Sequence, residues 1–232
     1  MTDKAQPGES ECAYTTGRSR PPPRECTMDI WKYALIIAAG YLLGSLSASI
    51  FISRLALGED VRSKGSGNAG ATNMARVYGL GLGFLTLGGD MLKTVLATWL
   101  GSCLLGDVGL AIGGISCMLG HCFPVFHNFK GGKGISVGAA LGLMIDWRVF
   151  VFIIATFLIV AFLTKKVSLG SLAAAVAITV AALLFHVSTP KLVLAIAAMC
   201  LAIFQHRTNI DRLSKGTEPD FKAADADKLK KK

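Results

Sequence analysis

Charge is scarce in this chain. Asp, Glu, Lys and Arg make up 17% of its 232 residues, against roughly 25% in an average soluble domain. That shortage excludes an ordinary globular protein, because the 52% of hydrophobic residues fall into long runs that one core of this size cannot hide. No CxxC pair occurs among six cysteines, so the usual spacing of a zinc or thiol-redox site is missing. Cys12 and Cys26 lie in a polar leader; Cys103, Cys117, Cys122 and Cys200 lie in or beside apolar runs, where cysteine acts as a small apolar residue. No basic face is interleaved with aromatics, so nucleic acid is not an expected partner. No short basic start leads into an apolar core near Met1, so the sequence does not open as a signal peptide.

What the chain has in quantity is apolar length and positive charge. Mean hydropathy is +0.53. Net charge is +9, from 24 Lys and Arg against 15 Asp and Glu. In a membrane protein such an excess collects in cytoplasmic loops and against anionic lipid. The apolar runs predict seven transmembrane helices, near 33–57, 79–105, 108–126, 135–145, 149–163, 167–185 and 192–204. The fourth is too short for a straight crossing. The expected fold is therefore all-α and polytopic.

The same pattern sets the expected domains. Residues 1–27 are polar, aperiodic and carry Pro21-Pro22-Pro23, which predicts a disordered tail. Met28 reads as a natural start, so a mis-assigned start codon is the alternative origin of that tail. Residues 28–221 form the membrane-embedded domain and 222–232 a basic tail.

Charge then orients the chain. Loops expected to share one side carry Arg54, Arg62, Lys64, Arg76, Lys130, Lys133, Lys165 and Lys166, and the C-terminal segment adds a lysine-rich run. The opposite loops carry only Arg148 and Lys191. This asymmetry predicts an outside N-terminus, with the glycine-rich loops and the C-terminus in the cytoplasm. Lys4, Arg18, Arg20, Arg24 and Lys32 run against it; a start at Met28 leaves only Lys32.

Three segments carry polar chemistry. The first is Gly65-Ser66-Gly67-Asn68-Ala69-Gly70-Ala71-Thr72-Asn73 with Arg76. Its glycines fit GxGxxG, but the flanks are membrane spans rather than a buried strand, which excludes a dinucleotide fold. A flexible turn would explain the glycines alone. Hydroxyls, amides and one Arg gathered together suit a polyoxyanion, with glycine letting backbone N–H groups approach it.

The second segment is Phe129-Lys130-Gly131-Gly132-Lys133-Gly134, after His121. No Ser or Thr follows Lys133, so it is not a Walker loop. It is either an anion nest or a basic turn on lipid headgroups. The third is 205–218, with His206, Asn209, Arg212, Gly216 and Glu218. His206 and Asp211 fit HxxxxD, but the downstream phosphate motif of soluble-headed acyltransferases is missing. A charged helix end is the plain alternative. Asp90 and Lys93, three apart in an apolar run, share a helix face and are either functional or a structural ion pair.

Together these three ordered segments resemble the bacterial acyl-phosphate:glycerol-3-phosphate acyltransferase family, known as PlsY. The resemblance covers about 30–221. Two departures stand out: no proline occurs at Ser45-Leu46-Ser47, and Ile135-Ser136-Val137 replaces the common Val-Ala-Thr. Asp211 lies outside the family pattern. The resemblance implies an inner-membrane enzyme with its active site at the cytoplasmic face. It would transfer an acyl group from acyl phosphate to the 1-hydroxyl of glycerol 3-phosphate, giving lysophosphatidic acid and phosphate in the first step of phospholipid synthesis. It implies no metal, no cofactor, no acyl-CoA and no acyl carrier protein, membrane lipid as surroundings, and functional coupling to the enzyme that makes acyl phosphate.

The resemblance and the side-chain chemistry together assign roles. Ser66, Asn68, Arg76, Lys133, His206 and Asn209 are the expected catalytic residues. Gly67, Thr72, Asn73, His121, Lys130, Gly131, Gly132, Gly134, Ser168, Arg212, Gly216 and Glu218 are expected to bind substrate. Lys133 and its glycines would cradle one phosphate; Ser66, Asn68, Thr72 and Arg76 would hold the second phosphate or the developing oxyanion. His206 and Asn209 would orient the glycerol. A transporter for a phosphorylated solute would need repeated halves, which are not seen. A membrane scaffold would leave the three segments without a purpose.

Overall fold

The computed structural model describes residues 29–221. The expected tails at 1–27 and 222–232 lie outside the described residues, as do Cys12 and Cys26. Among the described residues the fold is all-helical: α1 Ile30–Ser45, α2 Ala48–Leu57, α3 Ala71–Tyr78, α4 Leu80–Cys122, α5 Ile135–Ile145, α6 Trp147–Thr164, α7 Val167–Leu184, α8 Thr189–Gln205 and α9 Arg207–Ser214.

By length and apolar composition, four stretches can cross a membrane: Ile30–Leu57, Leu80–His127, Trp147–Thr164 and Val167–Leu184. A fifth is gained if α8 and α9, bent by 58°, count as one. Two features separate this count from the expected seven. At 11 residues, α5 is only about 16 Å long, half the hydrocarbon thickness. And α4 is not one rod.

Helical geometry in α4 breaks at Leu105 and at Gly106, whose φ is 56°. The chain folds back there. A Cβ at Gly101 would lie 2.1 Å from the Gly109 carbonyl oxygen, and one at Gly113 would lie 2.6 Å from that of Ala97. Further along, Cys117 Sγ approaches Thr94 Oγ1 at 3.7 Å. These pairs define an antiparallel hairpin with arms 80–104 and 107–122. Backbones touch because nothing but hydrogen stands between them, the usual basis of helix association where lipid is no poorer a solvent than a neighbouring side chain. α1 runs beside the second arm, with Gly44 against Cys117 and Gly120 against Tyr41.

The loops gather at two ends of the bundle. Ser188 donates to Asp107 at 2.6 Å, and Lys191 pairs with Asp107 at 3.4 Å, which joins the α4 turn to the start of α8. The glycine-rich segments, the α6–α7 turn and α9 meet at the other end. Between them, Met118, Val137, Leu141, Val149, Ile178 and Leu194 form the core. α6 buries only Val149 and Ile153, while its Phe162 is 84% exposed. An apolar helix bare on most sides is matched to lipid rather than water. Cys103, Cys117, Cys122 and Cys200 are free thiols.

Candidate active site

The first segment is held in shape by two side chains. Asn73, 1% exposed, donates from Nδ2 to the Val61 and Lys64 carbonyls, both at 3.1 Å. Its Oδ1 accepts from the Ser66 N–H at 2.9 Å. A Cβ on Gly65, where φ is +59°, would lie 2.3 Å from that Oδ1, so only glycine fits. Arg62 is the second. It grips Asp60 with Nε and Nη2 at 3.0 and 2.8 Å, and its Nη1 donates to the carbonyls of His127 at 2.9 Å and Lys130 at 3.0 Å. The Arg62 guanidinium holds the Asp60 carboxyl well below the usual carboxylate range, against the opposing effect of burial. Arg62 thereby fastens the first glycine segment to the second.

In the second segment Lys133 points across to the third. Its Nζ donates to Asn209 Oδ1. Burial and the charges of Arg212, Arg76 and Arg207 push the Lys133 ammonium down to about 8, partly offset by Glu218. Gly134, at φ +81°, opens α5. Gly131 and Gly132 pack on His121, and Lys130 is exposed.

The third segment closes the site. His206 sits at the bend between α8 and α9 with Nδ1 2.8 Å from the Ala202 carbonyl oxygen. A carbonyl only accepts, so Nδ1 carries the proton and Nε2 is left as an acceptor. Asn209 Nδ2 donates to Glu218 Oε1 at 2.7 Å, and Arg212 Nε donates to Glu218 Oε2 at 2.6 Å. Burial raises the Glu218 pKa, but donation from Arg212 and Asn209 outweighs it and holds the carboxyl below its usual range. Gly216, at φ +67°, ends α9 and turns the chain back, and Lys166 Nζ takes the Glu218 carbonyl at 2.7 Å.

These parts line one cavity of about 260 Å³. Its polar wall contains all six expected catalytic residues: Ser66, Asn68, Arg76, Lys133, His206 and Asn209. Of the expected binding residues, Thr72, Asn73, Gly134, Ser168, Arg212 and Glu218 also line it. Gly67, His121, Lys130, Gly131, Gly132 and Gly216 do not; they shape the turns or lie beneath them. Asn73 reaches the wall with its amide already spent on the loop. Sequence reasoning missed Ser136 and Ser171, and it missed the apolar wall of Ile153, Ile154, Phe157 and Ile178. Ser136 had left a trace, as a departure from the usual second segment. The apolar wall had none, since apolar residues on spanning helices are the background. Asp90 and Lys93 do pair, at 3.0 Å.

A family model described as glycerol-3-phosphate acyltransferase matches residues 34–216. The chain belongs to the glycerol-3-phosphate acyltransferase family. Relatives of that name include one from Syntrophomonas wolfei, 38% identical over 80% of this chain and 95% of its own length. Another, from Bacillus subtilis, is 36% identical over 82% and 97%. Among solved structures, the chain is similar to PlsY, an integral membrane glycerol 3-phosphate acyltransferase, in its glycerol 3-phosphate form. The TM-score is 0.78 and the identity 32%, over 82% of this chain and 96% of that one. Its lysophosphatidic acid form gives 0.76 and 31%, over 82% and 95%. Membership of the acyltransferase family and the lipid-matched helices together make this a multi-pass membrane protein.

Proposed function

We propose that this chain acylates the 1-hydroxyl of glycerol 3-phosphate from acyl phosphate, releasing lysophosphatidic acid and phosphate. The observation that carries the reading is the division of one cavity. Arg76 and Lys133 stand at a polar mouth, and an apolar wall runs from it between α6 and α7. Such a space takes an anion and an acyl chain from one molecule, and a small phosphorylated alcohol beside them.

Acyl phosphate is already activated, so the enzyme's work is placement and charge neutralisation. The hydroxyl oxygen attacks the acyl carbonyl carbon, the carbon–oxygen bond to phosphate breaks, and phosphate leaves. The glycerol 3-phosphate phosphate accepts the hydroxyl proton. His206 Nε2 accepts a hydrogen bond from the glycerol, and Asn209, held by Lys133 and Glu218, orients it. Lys133 with the Gly134 turn takes one phosphate; Ser66, Asn68, Thr72 and Arg76 take the other or the oxyanion.

We further infer seven passes in the bacterial inner membrane, with the site on the cytoplasmic face. The loop-charge asymmetry supports this, because the two loop clusters sort by charge as it requires. The test is phosphate release by purified protein in detergent. Acyl phosphate with glycerol 3-phosphate should yield one phosphate per lysophosphatidic acid, and acyl-CoA should yield no product. Turnover with acyl-CoA, or none with acyl phosphate, overturns the donor.

A further inference from the structure

Directly beneath the second glycine segment lies a buried polar cluster that the reaction above does not use. Asp90, Lys93 and His121 are 1%, 6% and 3% exposed. Lys93 Nζ sits 3.0 Å from Asp90 Oδ1 and 3.1 Å from His121 Nδ1, and it donates to the carbonyls of Gly44 and Leu46 at 3.0 and 2.7 Å. Those two carbonyls are free because α1 breaks at Leu46. Ionisable groups inside a membrane protein are costly and ask for a purpose.

The cluster touches both flanks of the Lys133 turn. On one side an ammonium only donates, so His121 Nδ1 accepts from Lys93 and the ring proton sits on Nε2. That Nε2 edge faces Gly132: a Cβ there would lie 2.2 Å from it, and 2.7 Å from the Ala69 carbonyl of the first segment. The Gly132 N–H also donates to the His121 carbonyl at 3.1 Å. On the other side, Ser136 Oγ donates to Asp90 Oδ2 at 3.1 Å. Residues 133–135 are thus strung between two anchors that end on one ion pair.

We infer that Asp90, Lys93 and His121 are positioning residues, which set the backbone of the Lys133 turn from below. The inference rests on the proposed phosphate role of Lys133. The histidine ring is a spacer of fixed thickness, and the Asp90–Ser136 bond fixes the other flank. Loosening either lets the Lys133 ammonium drift from its phosphate without removing any charge from the cavity. Misplacement by about 1 Å at a site of this kind costs up to about a hundredfold.

The test compares His121→Ala, Ser136→Ala and Lys133→Ala with the double variant His121→Ala/Lys133→Ala. Thr98→Val, equally buried on the α4 arm that carries Asp90 and Lys93 but away from the turn, is the control. Each is assayed for kcat and KM with both substrates, for inorganic phosphate binding, and for thermal stability in detergent. The expected result is a rise of about tenfold or more in one substrate's KM for His121→Ala, with a smaller fall in kcat. Phosphate binding should weaken in parallel, and Lys133→Ala should cost little more in the His121→Ala background, the non-additivity of residues that act as a unit. Ser136→Ala should show the same pattern more mildly, and Thr98→Val should change stability alone. Normal KM and phosphate binding in folded His121→Ala and Ser136→Ala overturn the inference, as do fully additive losses. If the wild-type protein itself neither releases nor binds phosphate, the proposed function fails instead.

Discussion

Lys133 and Asn209, 76 positions apart in the chain, are joined by a hydrogen bond from the lysine ammonium to the asparagine Oδ1. Asn209 passes the contact on to Glu218. One line of polar groups therefore ties the second glycine segment to the last helix and to the turn beyond it. Arg76 lines the same cavity and forms no ion pair among the described residues, which leaves its guanidinium available to the phosphate proposed for it.

Removing either cation should therefore cost catalysis rather than folding. Loss of a charge-assisted hydrogen bond is worth about 1.5–3 kcal/mol, so Lys133→Ala and Arg76→Ala should each lower kcat/KM about ten- to a hundredfold. Arg76→Lys should stay impaired, because an ammonium cannot make a two-pronged phosphate contact. Lys231→Ala, outside the described residues, should have almost no effect. Steady-state kinetics in detergent decide it: near-normal Lys133→Ala and Arg76→Ala would remove the two-anion site.

The pH profile should carry the mark of Lys133. Burial and neighbouring guanidiniums place its pKa at about 8. A lowered lysine pKa means that the charge is present below that value and is lost above it. In the free enzyme, kcat/KM should fall as pH rises through about 8. Lys133→Arg should abolish that limb, since guanidinium stays protonated there. An unchanged alkaline limb in Lys133→Arg would assign it to another group.

Arg62 should matter without touching substrate. Its guanidinium spans Asp60 and the His127 and Lys130 carbonyls, so Arg62→Ala frees both glycine segments at once. KM should rise for both substrates, with a loss of about tenfold in kcat/KM. A change confined to one substrate would show that the two segments act separately.

The hairpin in α4 predicts a stability effect far from the site. Gly101→Val would put a Cβ 2.1 Å from the Gly109 carbonyl oxygen and force the arms apart, and overpacking of this kind costs about 1–3 kcal/mol. The thermal unfolding temperature in detergent should fall, while substrate KM in the surviving folded fraction stays near normal. An undiminished unfolding temperature would mean that the arms are not packed backbone to backbone.

Orientation can be read with thiols. In a background without native cysteines, Lys191→Cys should react with an impermeant reagent in intact spheroplasts. Lys165→Cys should react only after the membrane is opened. The reverse pattern would invert the assignment of the cytoplasmic face.

Much of the helical order was legible in the sequence, because hydrophobic runs and loop charges are one-dimensional signals. The breaks after Leu57, near Leu105 and at Ile145 follow from Gly58, Gly106 and Asp146. α3 was not legible: Ala71–Tyr78 reads as part of a polar loop, and its helix is held from outside by Asn73 reaching back to Val61 and Lys64. The polar wall was legible because hydroxyls, amides and cations stand out among apolar spans. Gly131, Gly132 and His121 looked like ligands for the same reason, yet they lie beneath the turn; a residue that fits under a ligand site and one that faces it have the same spelling. The apolar wall stayed invisible, since Ile153 and Phe157 differ from lipid-facing neighbours only by which side of α6 they occupy.

The Arg62 clamp has a consequence for what the enzyme can accept. Two mobile loops would close around an anion pair of any size, and the ligand would choose the spacing. Here Asp60, Arg62 and the carbonyls of His127 and Lys130 lock the loops together before any ligand arrives. The gap between the cationic stations is then a fixed gauge cut by the protein. A polyol phosphate one carbon longer than glycerol 3-phosphate should meet the gauge at the wrong span, and be refused by geometry rather than by weaker attraction.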